Sequence, residues 1–169
     1  MAQAKVVVVN NCSGQTVEQN RLTNRLLKDL EEYDEDIEKI STAYHCGIFE
    51  IDILIKLKNG RYIIVECDEN QHMDRKKNEE LTRINEIFKT LNDPRLLNQG
   101  NILVIRFNPD YYNNKKCFKY NDKQWSKEGD KRYKELVSTI GTYTNIMAGY
   151  CMRGFIHVFI GYDDENKYI

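Results

Sequence analysis

Two stretches of alternating apolar and polar residues flank the tripeptide Lys58-Asn59-Gly60, and they constrain the fold more than any other part of the chain. In residues 48–57 the odd positions from 49 onward are apolar, whereas positions 50 and 52 are acidic; in residues 61–68 the acids stand at positions 66 and 68. A period of two is typical of strands with one face turned toward a core. A three-residue connection that ends in glycine is typical of a tight hairpin. The sequence therefore predicts two antiparallel strands.

The register of this hairpin brings acidic residues together. Closing it at positions 57 and 61 places two pairs of acids opposite each other, Asp52 with Glu66 and Glu50 with Asp68. Like charges that face each other on a sheet destabilise it. A bound divalent cation would relieve this repulsion, so we interpret the hairpin as a metal site.

The rest of the chain predicts one α/β domain over residues 1–169. A capping box at Thr16–Gln19 starts a helix to about residue 33 whose buried face carries Leu22, Leu26 and Leu30. We expect further strands at 5–10, 37–44, 102–107 and 155–162, and further helices at 74–91 and 128–140. In the second helix we expect the core-facing residues to be Leu81, Ile84, Phe88 and Leu91. The order helix–strand–strand–strand–helix–strand over about 16–110 predicts a mixed sheet flanked by helices, with 111–169 as a C-terminal extension.

Composition restricts the compartment and the class of protein. The chain has 169 residues, enough for one domain with a proper core. Its five cysteines are odd in number and scattered, which favours a reducing environment over a disulfide framework. No apolar run approaches membrane-spanning length, and the first residues lack a signal-peptide core. We expect an intracellular protein, in the cytoplasm or nucleus, without a membrane partner.

Three motifs carry a resemblance to a known family. The first motif is Val65–His72, at the end of the hairpin strand that follows Gly60. The second is Leu81–Ile84, which contains Arg83, and the third is Ile105–Asp110, which contains Arg106. With an acid in the first helix, an Asp on the second strand and a Glu on the third, the layout resembles the PD-(D/E)XK nuclease superfamily, particularly the branch around the very-short-patch mismatch-repair endonucleases. The resemblance implies a restriction-endonuclease-like αβββαβ core with an added N-terminal strand and a C-terminal helix and strand.

The resemblance also implies a metal centre. Its ligands would be Asp52 and Glu66 together with the backbone carbonyl of Cys67, and the cation would be Mg²⁺ or Mn²⁺. The acidic cluster of the hairpin adds Asp68 to this set of expected ligands. Hard cations prefer such oxygen ligands and keep several waters, so a few carboxylates suffice. A cation held in this way neutralises charge at a scissile phosphate and activates a water.

Two further catalytic residues follow from the same resemblance. His72 matches a histidine that acts as general base, and an imidazole titrates in the range that this role requires. Glu18 matches the acid of the first helix, although an acid in a first turn also complements the helix dipole, and the sequence leaves both roles open. Residues 68–70 are also compatible with a polar turn that caps the next helix, with Gln71 and His72 as residues at the start of that helix. His45 and His157 are interpreted as structural.

The chain departs from the family pattern at one catalytic position. Asp68 stands where the family carries a lysine two positions after the Glu, so the usual group that polarises the attacking water is missing. Lys56, Lys76 or Lys77 could replace it, or Asp68 and His72 could act through a second metal. A proline of the family pattern is replaced by Ile51, a change that we expect to be harmless.

Nucleic acid is the expected partner. The resemblance implies contacts from Gln71, Arg83 and Arg106, and the segment 113–134, which includes Lys115 and Lys116, holds eight Lys or Arg against three acids. Lysines interleaved with aromatic residues are typical of nucleic-acid surfaces, although a solvated loop and helix has the same composition. The overall charge of −1 gives no such signal, and whether the chain is a monomer or a homodimer stays open.

These observations favour one function and are compatible with a second. The first is a metal-dependent endonuclease that hydrolyses phosphodiester bonds in DNA. The second is a catalytically inactive, nuclease-like module that binds nucleic acid or a protein. A third possibility is an unrelated enzyme that acts on a small phosphorylated substrate. The sequence contains no glycine-rich phosphate-binding loop to support it.

Overall fold

The computed structural model describes residues 17–30, 36–46, 49–68, 77–91, 102–109, 111–113, 116–118, 125–146 and 155–162. The elements of this part of the chain are α1 (Val17–Leu30), β1 (Ile37–Cys46), β2 (Phe49–Leu57), β3 (Tyr62–Cys67), α2 (Lys77–Leu91), β4 (Ile102–Phe107), β5 (Tyr111–Asn113), β6 (Lys116–Phe118), α3 (Asp130–Ile146) and β7 (Phe155–Ile160). A π-helical turn, Trp125–Gly129, leads into α3. The strand predicted at 5–10 lies outside the described residues.

A mixed five-stranded sheet, in the order β1-β2-β3-β4-β7, forms the centre of the fold. The pairs β1/β2 and β2/β3 are antiparallel, whereas β3/β4 and β4/β7 are parallel. Strands β5 and β6 form a separate antiparallel pair. The α/β class and the mixed sheet flanked by helices agree with the sequence prediction. Strand β1 and helix α3 extend past their predicted ends, to Cys46 and Ile146.

Helices cover both faces of the sheet. Helices α1 and α3 share one hydrophobic cluster with the sheet, formed among others by Leu22, Leu26, Leu30, Leu136, Ile140, Ile55, Ile63, Val65 and Ile105. Helix α2 packs on the other face, where Ile87 and Leu91 meet Leu54, Ile64 and Val104. The leucines that repeat along α1 are therefore buried, as their spacing predicted.

The buried face of α2 differs from the prediction at two positions: Leu81 is exposed, and Ile87 is buried where Phe88, which is only partly buried, was expected. Leu81 was expected to face the core, but it is 41% exposed, whereas its neighbour Glu80 is only 3% exposed. The buried stripe follows Glu80, Ile84, Ile87 and Leu91, which are spaced at three to four residues. An acid takes the first position of this stripe because two arginines bind it there.

The β2/β3 hairpin has the predicted closure. Leu57 N–H donates to the carbonyl of Arg61 at 2.9 Å, and Gly60 N–H donates to the carbonyl of Leu57 at 2.9 Å. Gly60 has a φ of 82°, the left-handed conformation that the turn requires. Paired residues run from Lys56↔Tyr62 to Ile53↔Val65, which leaves Asp52 and Glu66 as the next two positions of the register.

The described helices contain no segment that combines the length and the apolar character needed to cross a membrane.

Candidate functional site

The candidate site lies where β2 and β3 stop pairing. Past the last paired residues, Asp52 takes the position of a strand partner: its Oδ2 accepts a hydrogen bond from Cys67 N–H at 2.7 Å. Its Oδ1 accepts one from Gln19 Nε2 of α1 at 3.2 Å. Asp52 is therefore held from both sides, by the end of β3 and by the first turns of α1.

Glu66 lies beside Asp52 and is held by α2. Its side chain is buried, and Oε1 pairs with Arg83 Nη2 at 2.7 Å. The same Nη2 donates to the backbone carbonyl of Glu50 at 2.6 Å, and Arg83 Nη1 pairs with Glu80 Oε1 at 2.9 Å. One oxygen of Glu66 is thus fixed by a guanidinium group that is itself held in three directions.

A second arginine ties the ends of β3 and β4 to α2. Arg106 is 1% exposed, and it donates through Nε to Asp68 Oδ2 and through Nη1 to Glu80 Oε1. The hydroxyl of Tyr162, two residues past β7, donates to the same Asp68 oxygen. Three strand ends and one helix therefore meet in one buried network of ion pairs.

Burial and charge shift the pKa values of these acids in different directions. Burial, together with the charge of Glu66, raises the pKa of Asp52 to about 7. Burial also raises the pKa values of Glu66 and Asp68, against the opposing effects of Arg83 and Arg106. At Glu80 burial is outweighed by the two arginines, which lower the pKa to about 2. Glu80 is therefore an ionised anchor, whereas Asp52 readily takes up a proton.

The network holds more acids than it neutralises. Among the described residues, four carboxyl groups, those of Asp52, Glu66, Asp68 and Glu80, meet two guanidinium groups. Either protons or a cation must balance the excess, since an unpaired buried charge is strongly unfavourable. The raised pKa of Asp52 has this origin in part, because the charge of Glu66 disfavours its ionised form.

The donor set fits a hard divalent cation with two protein carboxylates. Within the described ranges, no three His, Cys, Asp or Glu residues converge as metal ligands. Asp52 and Glu66 are adjacent and offer oxygen donors, and Mg²⁺ commonly completes its shell with water. Asp68 is turned toward Arg106 and Tyr162, and the described contact of Cys67 with the site is its N–H bond to Asp52.

Several residues that the sequence placed in the site lie outside the described part of the chain. These are Gln71, His72, Lys76 and Lys115, together with the side chains of Glu18, Lys77 and Lys116, whose backbones belong to α1, α2 and β6. Their predicted roles stay predictions.

Other expected participants are described and lie elsewhere. The side chain of Glu50 is exposed, so the fourth acid of the cluster is Glu80 rather than Glu50. Lys56 pairs with Glu38 of β1 at 2.7 Å. Arg83 and Arg106 were expected at a nucleic-acid surface, but their side chains are 12% and 1% exposed and bind carboxylates.

Three participants were missed by the sequence prediction, and each had a weak signal. Gln19 precedes Leu22 by three residues, so it shares the inner face of α1. Glu80 precedes Ile84 by four residues in the same way. Tyr162 follows a strand that runs parallel to β3 and β4, and residues just past parallel strands meet at one edge of the sheet.

Comparison of the chain with protein-family models, curated proteins and solved structures finds no match.

Proposed function

We propose that this chain is a metal-dependent endonuclease that hydrolyses phosphodiester bonds in DNA, with Mg²⁺ or Mn²⁺ bound by Asp52 and Glu66. One observation carries the proposal. Two adjacent carboxylates occupy the point where two strands separate, and the surrounding arginines do not balance the charge of the cluster. Two acids placed in this way form a suitable oxygen donor pair for a hard cation.

A bound divalent cation supplies a Lewis acid for the scissile phosphate and lowers the pKa of an attacking water. The protein's own contribution is positioning. The Cys67 N–H and Gln19 fix the carboxylate of Asp52, and Arg83 fixes one oxygen of Glu66.

In this proposal Arg83 supplies the positive charge that the family lysine would supply. It lies 2.7 Å from Glu66, and Glu80 and the Glu50 carbonyl hold its guanidinium in place. Arginine remains charged at all physiological pH values, so it can stabilise a phosphate but cannot accept a proton. The general base is a separate residue, and His72 keeps that role in the proposal.

In this proposal Asp68 and Arg106 have a structural role in the buried interior next to the site. Arg106 joins Asp68 to Glu80 in the interior and thereby sets the position of α2, on which Arg83 lies. Asp68 belongs to this support through its contacts with Arg106 and Tyr162.

The second candidate is an inactive nuclease-like module that binds nucleic acid or a protein. The observation that favours it is the ion-pair network itself, because Arg83 and Arg106 partly neutralise Glu66 and Asp68 without a cation. Buried networks of this kind also occur as purely structural features.

Nicking of supercoiled plasmid DNA decides between the two. We expect cleavage in Mg²⁺ or Mn²⁺, loss of at least about 10²-fold in rate for Asp52→Asn and Glu66→Gln, and a similar loss for His72→Ala. Glu50→Gln is the matched control, since the Glu50 side chain is an exposed acid on the same strand as Asp52.

Metal binding is measured separately by thermal unfolding. Mn²⁺ should raise the Tm of the wild type and not that of Asp52→Asn. If the wild type binds DNA but cleaves neither single- nor double-stranded substrate with either metal, the binding module is the correct interpretation.

A further inference from the structure

A buried arginine with no paired carboxylate among the described residues lies far from the candidate active site. Arg61, the residue before β3, is 6% exposed, and neither Nη1 nor Nη2 has a hydrogen-bond partner. In the part of the chain that the structure describes, no carboxylate pairs with it. A buried guanidinium is strongly unfavourable unless an anion or several acceptors compensate it. A bound oxyanion would therefore compensate the charge of Arg61 and accept hydrogen bonds from its Nη atoms.

The group that lies against Arg61 is an aromatic ring. Its Cζ is 5.3 Å from the centroid of the Tyr143 ring, which belongs to α3. A cation–π contact and a side-chain hydrogen bond to Tyr143 compensate part of the charge, but Nη1 and Nη2 stay without an acceptor among the described residues. The pKa of Tyr143 is raised by burial, and the charge of Arg61 opposes that rise.

Arg61 and the carboxylate cluster occupy different places in the fold. With a period of two, Arg61 shares the face of Ile63 and Val65, which α1 and α3 cover, whereas Glu66 points toward α2. Five residues of strand separate the two positions, or roughly 17 Å. An anion at Arg61 would therefore be bound independently of the cluster.

A cavity of about 340 Å³ adjoins the same aromatic ring. One wall is apolar and is formed by Leu103, Ile156 and Val158 of β4 and β7. Helix α3 contributes Tyr143, the hydroxyl groups of residues 138, 139 and 142, and the exposed carboxylate of Glu135. Tyr143 thus lies against both the guanidinium and the cavity.

We propose that Arg61 anchors a second ligand site, which takes an organic oxyanion with an apolar body. A carboxylate or phosphate group pairs with the guanidinium through two parallel hydrogen bonds, and the apolar body occupies the cavity. The ring of Tyr143 turns aside to admit the anion. Glu135 disfavours a second negative charge at the cavity mouth, so the site selects ligands with one anionic end. This site does not depend on the proposed nuclease activity.

Calorimetric titration of the full chain with four probes tests the proposal. Octanoate and octyl phosphate carry both parts of the ligand, octanol lacks the anion, and inorganic phosphate lacks the apolar body. We expect octanoate or octyl phosphate to bind at least tenfold more tightly than octanol and inorganic phosphate, with the stronger of the two identifying the preferred head group. Equal affinity for octanol would overturn the role of Arg61, and no binding by either amphiphile would overturn the site.

Two variants locate the binding. Arg61→Met should weaken binding of the preferred amphiphile at least tenfold, whereas Lys58→Gln, which removes an exposed cation from the same turn, should not. Thr142→Trp places a bulky ring in the cavity from an exposed position and should also weaken binding at least tenfold. Unchanged affinity in Arg61→Met or in Thr142→Trp contradicts the proposal.

Stability provides an independent measurement. Arg61→Met replaces an uncompensated buried charge by an apolar side chain of similar length, so its Tm in anion-free buffer should exceed that of the wild type. Saturating octanoate should reduce this difference, because the ligand stabilises only the wild type. A lower Tm for Arg61→Met without anion, or its failure to fold, would mean that the chain itself compensates the charge and would overturn the proposal.

Discussion

The carboxyl group of Asp52 lies in surroundings that favour its protonated form, although its hydrogen bonds suit an ionised acceptor. Burial is the largest cause of the raised pKa and Glu66 the next, while the Cys67 N–H opposes both. Together these effects raise the pKa of Asp52 to about 7, above its ordinary value of 3.8. A cation that binds Asp52 therefore competes with a proton near neutral pH.

This titration predicts how stability depends on pH. The folded state holds the Asp52 proton up to about pH 7, whereas the unfolded chain loses it near 3.8, so stability falls as the pH rises through that window. Asn cannot ionise but still accepts the Cys67 N–H bond. Between pH 5 and 8 the wild type should lose about 2 kcal/mol more than Asp52→Asn, a value reduced for partial exposure. Urea unfolding with a chelator present measures this, and parallel pH profiles would contradict it.

The ion pairs of Glu80 with Arg83 and Arg106 predict a large contribution of this residue to stability. It is the ionised anchor of both arginines, so Glu80→Gln leaves two buried guanidinium groups with less charge to pair with. We expect a loss of about 3 kcal/mol in the free energy of unfolding. Since its pKa of about 2 lies below the ordinary 4.5, this contribution is complete above pH 4.5 and declines as the pH falls toward 2.

Glu79→Gln is the matched control for that measurement. Glu79 is the exposed neighbour on the same turn of α2, and its substitution should change stability by less than about 0.5 kcal/mol. Equal effects of the two substitutions would show that the Glu80 ion pairs contribute nothing net.

At the scale of elements, hydrogen bonds from Asn108 join the end of β4 to the end of β7, next to Gly161. Asn108 N–H donates to the Ile160 carbonyl at 2.9 Å, and Asn108 Nδ2 donates to the Gly161 carbonyl at 2.9 Å. Gly161 has a φ of 78°, and a Cβ there would lie 2.6 Å from Arg132 Nη1 and 2.8 Å from the Asn108 carbonyl oxygen. This junction sets the direction of the chain toward Tyr162.

Two glycine substitutions separate strain from crowding. Gly60→Ala meets the same positive φ with no atom within 4 Å, so it should cost about 1 kcal/mol. Gly161→Ala adds close contacts with a backbone oxygen and a guanidinium group, so it should cost about 2 kcal/mol more than Gly60→Ala. Chemical denaturation of both variants measures the difference. Equal losses would indicate that the Arg132 side chain and the strand ends adjust without cost.

The elements that the sequence predicted correctly are those set by local interactions. The β2/β3 hairpin follows from one turn and from alternation over neighbouring residues, and the buried face of α1 follows from its leucine spacing. The cluster depends on contacts between distant positions, such as Tyr162 with Asp68, 94 residues apart, and Arg106 with Glu80, 26 apart. Leu81 was assigned to the core because apolar character was the only local criterion, and the partners of Glu80 overrode it.

At the scale of the whole molecule, the charge distribution limits how nucleic acid could bind. The net charge is −1, so no general attraction to a polyanion exists, and the two site arginines are occupied by carboxylates. A nucleic-acid surface outside the site itself therefore needs a local excess of lysines. The segment 113–134, which leads through β6 into α3, has that excess.

Charge reversal within this segment tests whether it is the binding surface. Lys115→Glu with Lys116→Glu should weaken binding to one chosen oligonucleotide and reduce its salt dependence, by about one unit of log–log slope for each phosphate that is no longer neutralised. Lys89→Glu is the control: it reverses an exposed cation of α2 that pairs with Glu86 at 2.6 Å, and it should leave the slope unchanged. Fluorescence anisotropy over a range of salt concentrations measures all three proteins. The same slope in the double variant and the wild type would place nucleic acid on another face, and a lower slope in Lys89→Glu would point to the α2 side of the sheet, above the carboxylate cluster.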